Sequence, residues 1–166
     1  MKKFRQKLGI QGNQGEDDEQ LVAVLLRMMS DIQADFTMTF RQLGDWTMKD
    51  ITQNNIPKNL WSLPVLRKHE WFGNWRQIYL SRLKNSKWKS DSDRQLSMHS
   101  VNPRYVLRNW IAQRIISRVE ENDFVLLNLV KDILTKPFTL QEEAEKLGFA
   151  SKPPKWAKDI KVSCSS

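Results

Sequence analysis

Apolar residues recur every three or four positions along this chain, and no pair of segments shows the two-residue alternation of paired strands. Leu21, Leu25, Met28 and Ile32 fall at i, i+4, i+7 and i+11, a stripe that only a helix gathers onto one face. Val22, Leu26 and Met29 widen that face, which implies more than one packing neighbour. The rhythm returns at Trp71, Trp75, Ile78 or Tyr79 and Leu83. It recurs at Leu107, Ile111, Ile115 and Val119, with Trp110 beside them, and at Phe124, Leu127, Val130 and Leu134. The expected fold is all-α, without internal repeats. At 166 residues the chain can bury about one modest core.

Local signals set the expected boundaries. "FRQKLGI" (residues 4 to 10) reads as the last turn of a helix, with Gly9 in the left-handed stop position. A domain rarely begins with a helix end, so further chain is expected upstream. The glycine-punctuated "GIQGNQG" matches neither the Rossmann nor the Walker pattern and reads as a flexible linker. The acidic quartet Glu16 to Glu19 then opens a helix, where negative charge meets the positive end of the backbone dipole. "DFTMTFRQL" starts another, with Asp35 or Thr37 as cap and Phe36, Phe40 and Leu43 on one side. From Gly44 to Lys68 the periodicity dissolves, and a loop is expected. "KNSKWKSDSDRQLSMHS" reads as a charged, serine-rich connection in which Trp88 has no apolar face to join.

"VNPRYVLRNWIAQRIISRVEEND" suggests a long helix with Asn102 as N-cap and Pro103 at its first position. Pro137 stops the helix after it. Thr139 and Glu142 have capping-box spacing for a short amphipathic turn that Gly148 ends. Pro153 and Pro154 then favour an extended tail, on which Trp156 and Ile160 are apolar anchors. These signals divide the chain into a helical segment, 1–150, and an extended tail, 151–166.

Charge and composition exclude more than they suggest. The net charge is +8, and the stretch from Arg67 to Arg118 carries twelve Lys or Arg against Glu70, Asp91 and Asp93. Interleaved Trp71, Trp75, Trp88 and Trp110 could stack on nucleic-acid bases, but helical spacing assigns most of them to a core, so nucleic acid is disfavoured as a partner. Arg104, Arg108, Arg114 and Arg118 read as a solvated face or as partners of acids on a neighbouring element. No apolar run approaches the roughly 18 residues of a membrane span, and no membrane partner is expected. His69 and His99 are thirty residues apart, without the grouping of a catalytic triad. Asp17, Asp18, Asp31 and Asp35 are conceivable metal ligands, although a helix start explains the first pair more simply. No residue in this chain is assigned as catalytic, cofactor-binding or metal-binding.

The single cysteine, Cys164, sits two residues from the terminus in "KVSCSS". It is either incidental or an exchangeable thiol. Lys158 and Lys161 nearby favour the thiolate, and any resolving thiol must lie outside this chain.

"NPRYVLRNWIAQRII" (Asn102 to Ile116), followed by "KPF" and the terminal "KPPKWAKDIKVSCSS", resembles the C-terminal part of the selenoprotein O family. "FRQKLGI", "DFTMTFRQL" and "WRQIYLSRL" resemble the same family in the same order, so the likeness covers nearly the whole chain. It implies a kinase-like fold, of which this chain would be the helical C-terminal part, and transfer of AMP from ATP to protein hydroxyls. For the full-length family it implies ATP and Mg²⁺ or Mn²⁺; for this chain it implies no cofactor, since the glycine-rich loop, nucleotide-contacting lysine, metal ligands and catalytic base of the family are not among its residues.

The same resemblance places Cys164 at the selenocysteine position and implies a redox role for it. It also implies, as partners, the missing N-terminal kinase-like lobe and, in the full-length form, protein substrates. The location implied is mitochondrial in a eukaryote and cytoplasmic in a bacterium. The alternative kept beside it is a free-standing helical interaction module without catalysis.

Overall fold

A computed structural model describes residues 1–12 and 16–160, and every regular element among them is helical, as the apolar spacing requires. The chain divides into two units, Met1–Pro103 and Arg104–Ser166.

In the first unit, α1 (Lys2–Lys7) ends where expected: Gly9 is left-handed at φ +67°, and Ile10 N–H closes back on the Arg5 carbonyl at 2.9 Å. Helix α2 (Glu16–Asp31) begins at the acidic quartet and buries Leu21, Val22, Leu25, Met28 and Met29. Helix α3 (Phe36–Asp45) is capped by Asp35, which accepts from Met38 N–H at 2.8 Å; Phe40 and Leu43 are buried, while Phe36 is half exposed against Phe40. Helix α6 (Phe72–Lys84) buries Phe72, Trp75, Tyr79 and Leu83. Trp46, Phe72, Trp75 and Tyr79 form a run of ring contacts with successive centroids 6.0, 6.3 and 5.0 Å apart. Their polar edges are satisfied too: Trp75 Nε1 donates to the Leu21 carbonyl and Tyr79 Oη to the Leu8 carbonyl, both at 2.9 Å.

Three sequence expectations are corrected in this unit. The stretch from Gly44 to Lys68 is not a plain loop: it holds α4 (Met48–Gln53) and α5 (Leu63–Leu66). Helices this short are below the length at which a periodic stripe can be read, yet Trp46, Ile51, Leu60, Leu63 and Leu66 are core residues.

The charged connection is largely a helix, α7 (Asp91–Val101), capped by Ser90 with Asp91 and Asp93 in its first turn. Its buried positions are Met98 and an arginine. Arg94 is buried, pairs with Asp91 at 2.6 Å, and donates from Nη2 to the Trp46 carbonyl at 2.9 Å at the end of α3. A guanidinium there satisfies a helix C-terminus and complements its dipole. Trp88, for which the sequence offers no apolar face, donates its indole N–H to the Gly9 carbonyl at 2.7 Å.

The third correction concerns Asn102, which ends α7 rather than starting the next helix. Its side chain is fully buried; Nδ2 donates to the Lys7 carbonyl at 2.9 Å and Oδ1 accepts from Lys7 Nζ at 3.1 Å. Asn102 lies seven residues before α8 begins, and its buried side chain binds α1 instead of capping that helix.

In the second unit the chain runs extended before α8 (Asn109–Glu120), and both Arg104 N–H and Tyr105 N–H reach the Pro137 carbonyl, at 2.8 and 3.1 Å. Helix α9 (Val125–Thr135) stops before Pro137 as expected. Helix α10 (Glu142–Lys146) has Gln141, not Thr139, as its N-cap, and no side chain makes the capping bond. The capping box therefore does not form: Gln141 Nε2 instead donates to the Ile133 and Lys136 carbonyls at 3.0 Å. Gly148 is left-handed at φ +73°, and after Pro154 the tail forms a short 3-10 helix, Lys155–Asp159, where an extended path was expected.

Candidate functional site

Cys164, the one site residue expected from sequence, lies outside the described residues. What the structure places is the seat of the segment that leads to it. Helix α8 turns Trp110 inward, where it is almost fully buried. Phe149, brought round by the turn after α10, meets the Trp110 ring edge-on at 5.9 Å, and Trp156 of the 3-10 helix meets it at 6.5 Å and 87°. Arg114, one helical turn beyond Trp110, holds its guanidinium 5.8 Å from the Trp110 ring centre, within cation–π range. Trp156 is thus the tail anchor expected from sequence, although 44% of its surface stays exposed.

Two cavities meet at this seat. One, of about 300 Å³, is lined by Trp110, Arg114, Gly148, Ser151, Lys152 and Trp156, among others. The other, of about 610 Å³, shares Arg114 and Trp156 and adds Gln113, Ser117 and Arg118. The sequence assigns Arg104, Arg108, Arg114 and Arg118 to a solvated or acid-paired face. That holds for Arg118, 3.2 Å from Asp123, and for Arg104, whose Nε is 2.7 Å from Glu145. It missed the seat of Arg114; the four-residue spacing from Trp110 was the available signal, since such pairs share a helix face.

The other candidates are occupied by structural duties. Asp18 is fully buried between two arginines, its oxygens 2.5 Å from Arg82 Nε and 2.9 Å from Arg5 Nε. Asp31 pairs with Arg27 at 2.9 Å, and the bond from Arg27 holds its carboxyl below the ordinary range. Asp35 is the cap of α3. His69 accepts from Trp71 N–H at Nδ1, 3.1 Å away, leaving Nε2 to face Asp31 at 3.5 Å. His99, expected ahead of a helix cap, sits in the last turn of α7 with Nε2 2.8 Å from Asp45.

No nucleophile, base and orienting acid converge among the described residues, nor do three or more His, Cys, Asp or Glu side chains suited to a metal. The divalent metal implied by the resemblance finds no fitting donor set among the described residues. The indoles of Trp75 and Trp110 are packed inside, where no nucleic-acid base can reach them. No described helix is long and apolar enough to cross a membrane.

Comparison with known proteins adds the family. The model of the family described as protein adenylyltransferase SelO matches residues 1–135. A protein nucleotidyltransferase YdiU from Myxococcus xanthus is 37% identical over 166 residues, all of this chain but 32% of its own length. Those from Herminiimonas arsenicoxydans and Pseudomonas fluorescens are 38% and 33% identical, each over 98% of this chain and 31% of their own. The chain spans about a third of the length of the curated relatives it matches.

Proposed function

The chain belongs to the SelO protein adenylyltransferase family, and from that premise we propose that it serves as the helical C-terminal part of an enzyme that transfers AMP from ATP to protein hydroxyls. The observation that carries this reading is the match along essentially all of this chain to relatives about three times as long. In this reading the ATP, the divalent metal and the groups that handle them belong to the remaining two thirds of the protein. This chain supplies a helical body and a tail.

Two features support that division of labour. Arg94, Asn102 and Asp18, three of the buried polar side chains of the first unit, are engaged by neighbouring backbone or charge, which is how a scaffold is specified. Apolar side chains meanwhile stay open to solvent: Trp71 just before α6, Ile78 on it, and Val125 and Leu140 in the second unit, at 74% and 63% exposure. Such surface is suited to packing on further protein. Cys164 follows Trp156 by eight residues, so the tail's thiol is tethered at a fixed origin. We assign it a redox or regulatory role, with a resolving thiol in the other part of the protein.

The test is AMP transfer from α-labelled ATP with Mg²⁺ or Mn²⁺, using this chain alone and the full-length protein. Label on protein hydroxyls only with the full-length protein is the expected result. Transfer by this chain alone would overturn the division. No transfer by either would favour a binding module without catalysis.

A further inference from the structure

Arg114 and Lys152 line the same cavity of about 300 Å³ in the second unit, and no carboxylate is among its lining residues. Neither side chain has an ion-pair partner among the described residues, in contrast to Arg104, Arg118 and Lys146, which pair with Glu145, Asp123 and Glu142. The geometry points to a phosphate site: a cavity that takes a phosphate dianion, free or as a monoester, between Arg114 and Lys152.

The site is built by two separate elements. Arg114 is held against the Trp110 ring, which is itself wedged by Phe149 and Trp156, so its fork of donors is oriented before any ligand arrives. Lys152 comes from the turn after α10 and lines the same cavity. The left-handed Gly148 ends α10, Ser151 N–H closes on the Gly148 carbonyl at 3.0 Å, and this turn carries Ser151 and Lys152 back towards α8.

Charge selects the ligand. A phosphate monoester carries close to two negative charges above its second pKa of about 6, matching the two cations, whereas a carboxylate would leave one of them uncompensated. The adjoining cavity shares Arg114 and Trp156, is lined further by Gln113, Ser117, Arg118, Glu121 and Leu126, and has room for the rest of an ester, with Glu121 the one carboxylate on its wall. The half-exposed Trp156 indole stands between the two.

Titration of the full 166-residue chain with inorganic phosphate, phosphoserine and AMP, followed by phosphorus NMR and calorimetry at low salt, tests the site, with acetate as the carboxylate control. All three phosphates are expected to bind at pH 7.5 and to weaken at pH 5.5, where the dianion is protonated. Acetate binds about tenfold more weakly or worse. Arg114→Gln and Lys152→Gln each weaken phosphate binding by about tenfold. Lys131→Gln, which changes an exposed lysine away from the cavity, leaves it unchanged.

Lys152 is exposed, so its variant reports on the site even where Arg114→Gln disturbs packing on Trp110. Tighter binding of AMP that is lost in Trp156→Ala identifies a ring-bearing ester, and equal binding of the three identifies the free ion. No saturable binding, acetate as strong as phosphate, or full binding by both glutamine variants would overturn the proposal. So would an oligonucleotide that outcompetes every small phosphate with steep salt dependence.

Discussion

Asp18, on the first turns of α2, is bound in two places by Arg82 of α6: Oδ1 meets Nε at 2.5 Å and Oδ2 meets Nη2 at 3.0 Å. The carboxylate is fully buried, and Arg5 of α1 closes its other side at 2.9 Å. One anion thus joins three helices, and its partner on α6 lies 64 residues away in sequence. Removing it takes the carboxylate away from two guanidinium groups that are less than a fifth exposed. Asp18→Ala should therefore destabilise the first unit by about 3 kcal/mol, read as a lower urea midpoint. A midpoint within error of the parent would show that the arginines find other partners.

Tyr79 gives the fold an alkaline limit. Burial pushes its phenol up to about 12 from the ordinary 10, because ionisation inside the core is penalised. The folded state therefore holds the proton more tightly than the unfolded chain. The corresponding stability is fully present below pH 10 and is lost as pH rises towards 12, amounting to about 2–3 kcal/mol. Tyr79→Phe should flatten that alkaline decline in thermal melts. At neutral pH it should cost about 1 kcal/mol, because the Leu8 carbonyl loses its donor.

Gly9 and Gly12 are both left-handed, at φ +67° and +89°, but only Gly9 is crowded: an added Cβ would stand 2.7 Å from Met98 Sδ and 3.0 Å from Arg94 Cγ. Gly12 has open space around it. Gly12→Ala should cost about 1 kcal/mol, the conformational penalty alone. Gly9→Ala should cost at least twice that, because α1 must also move off α7. Equal melting temperatures for the two variants would refute the close packing of α1 on α7.

Glu145 ties the extended segment before α8 to α10. It accepts from Arg104 Nε and Nη2, both at 2.7 Å, and from Tyr105 Oη at 2.5 Å. The bond to Glu145 raises the Arg104 pKa, and burial raises that of the Tyr105 phenol. Glu145→Gln keeps the shape but loses the paired charge and should destabilise the second unit by about 1–3 kcal/mol. Hydrogen exchange at the Arg104 and Tyr105 amides should rise with it. An unchanged exchange rate would mean that the Pro137 carbonyl alone holds the strap.

What could be read from the sequence was whatever apolar spacing or a local cap encodes. The buried stripe of α2, the Asp35 cap, the left-handed stops at Gly9 and Gly148 and the inward Trp75 and Tyr79 all belong to that class. The misses share a cause, which is that polar residues do core work in places only tertiary structure supplies. Arg94 is buried because two α3 carbonyls lie opposite it, Asn102 because Lys7 does, and Asp18 because Arg5 and Arg82 converge on it. None of these partners is near in sequence, and a local pattern reads each residue as a cap or a surface charge. The seat of Arg114 beside Trp110 was legible from spacing, but Lys152 joins it through the fold alone.

The most direct test of the central claim is the size of the native protein, probed in source-cell extract with an antibody raised to "KPPKWAKDIKVSCSS". A single band near three times 19.6 kDa, as the longer relatives lead one to expect, means that this chain is part of a larger adenylyltransferase. A single band at 19.6 kDa would contradict the account and leave a helical protein that acts by binding or thiol chemistry alone.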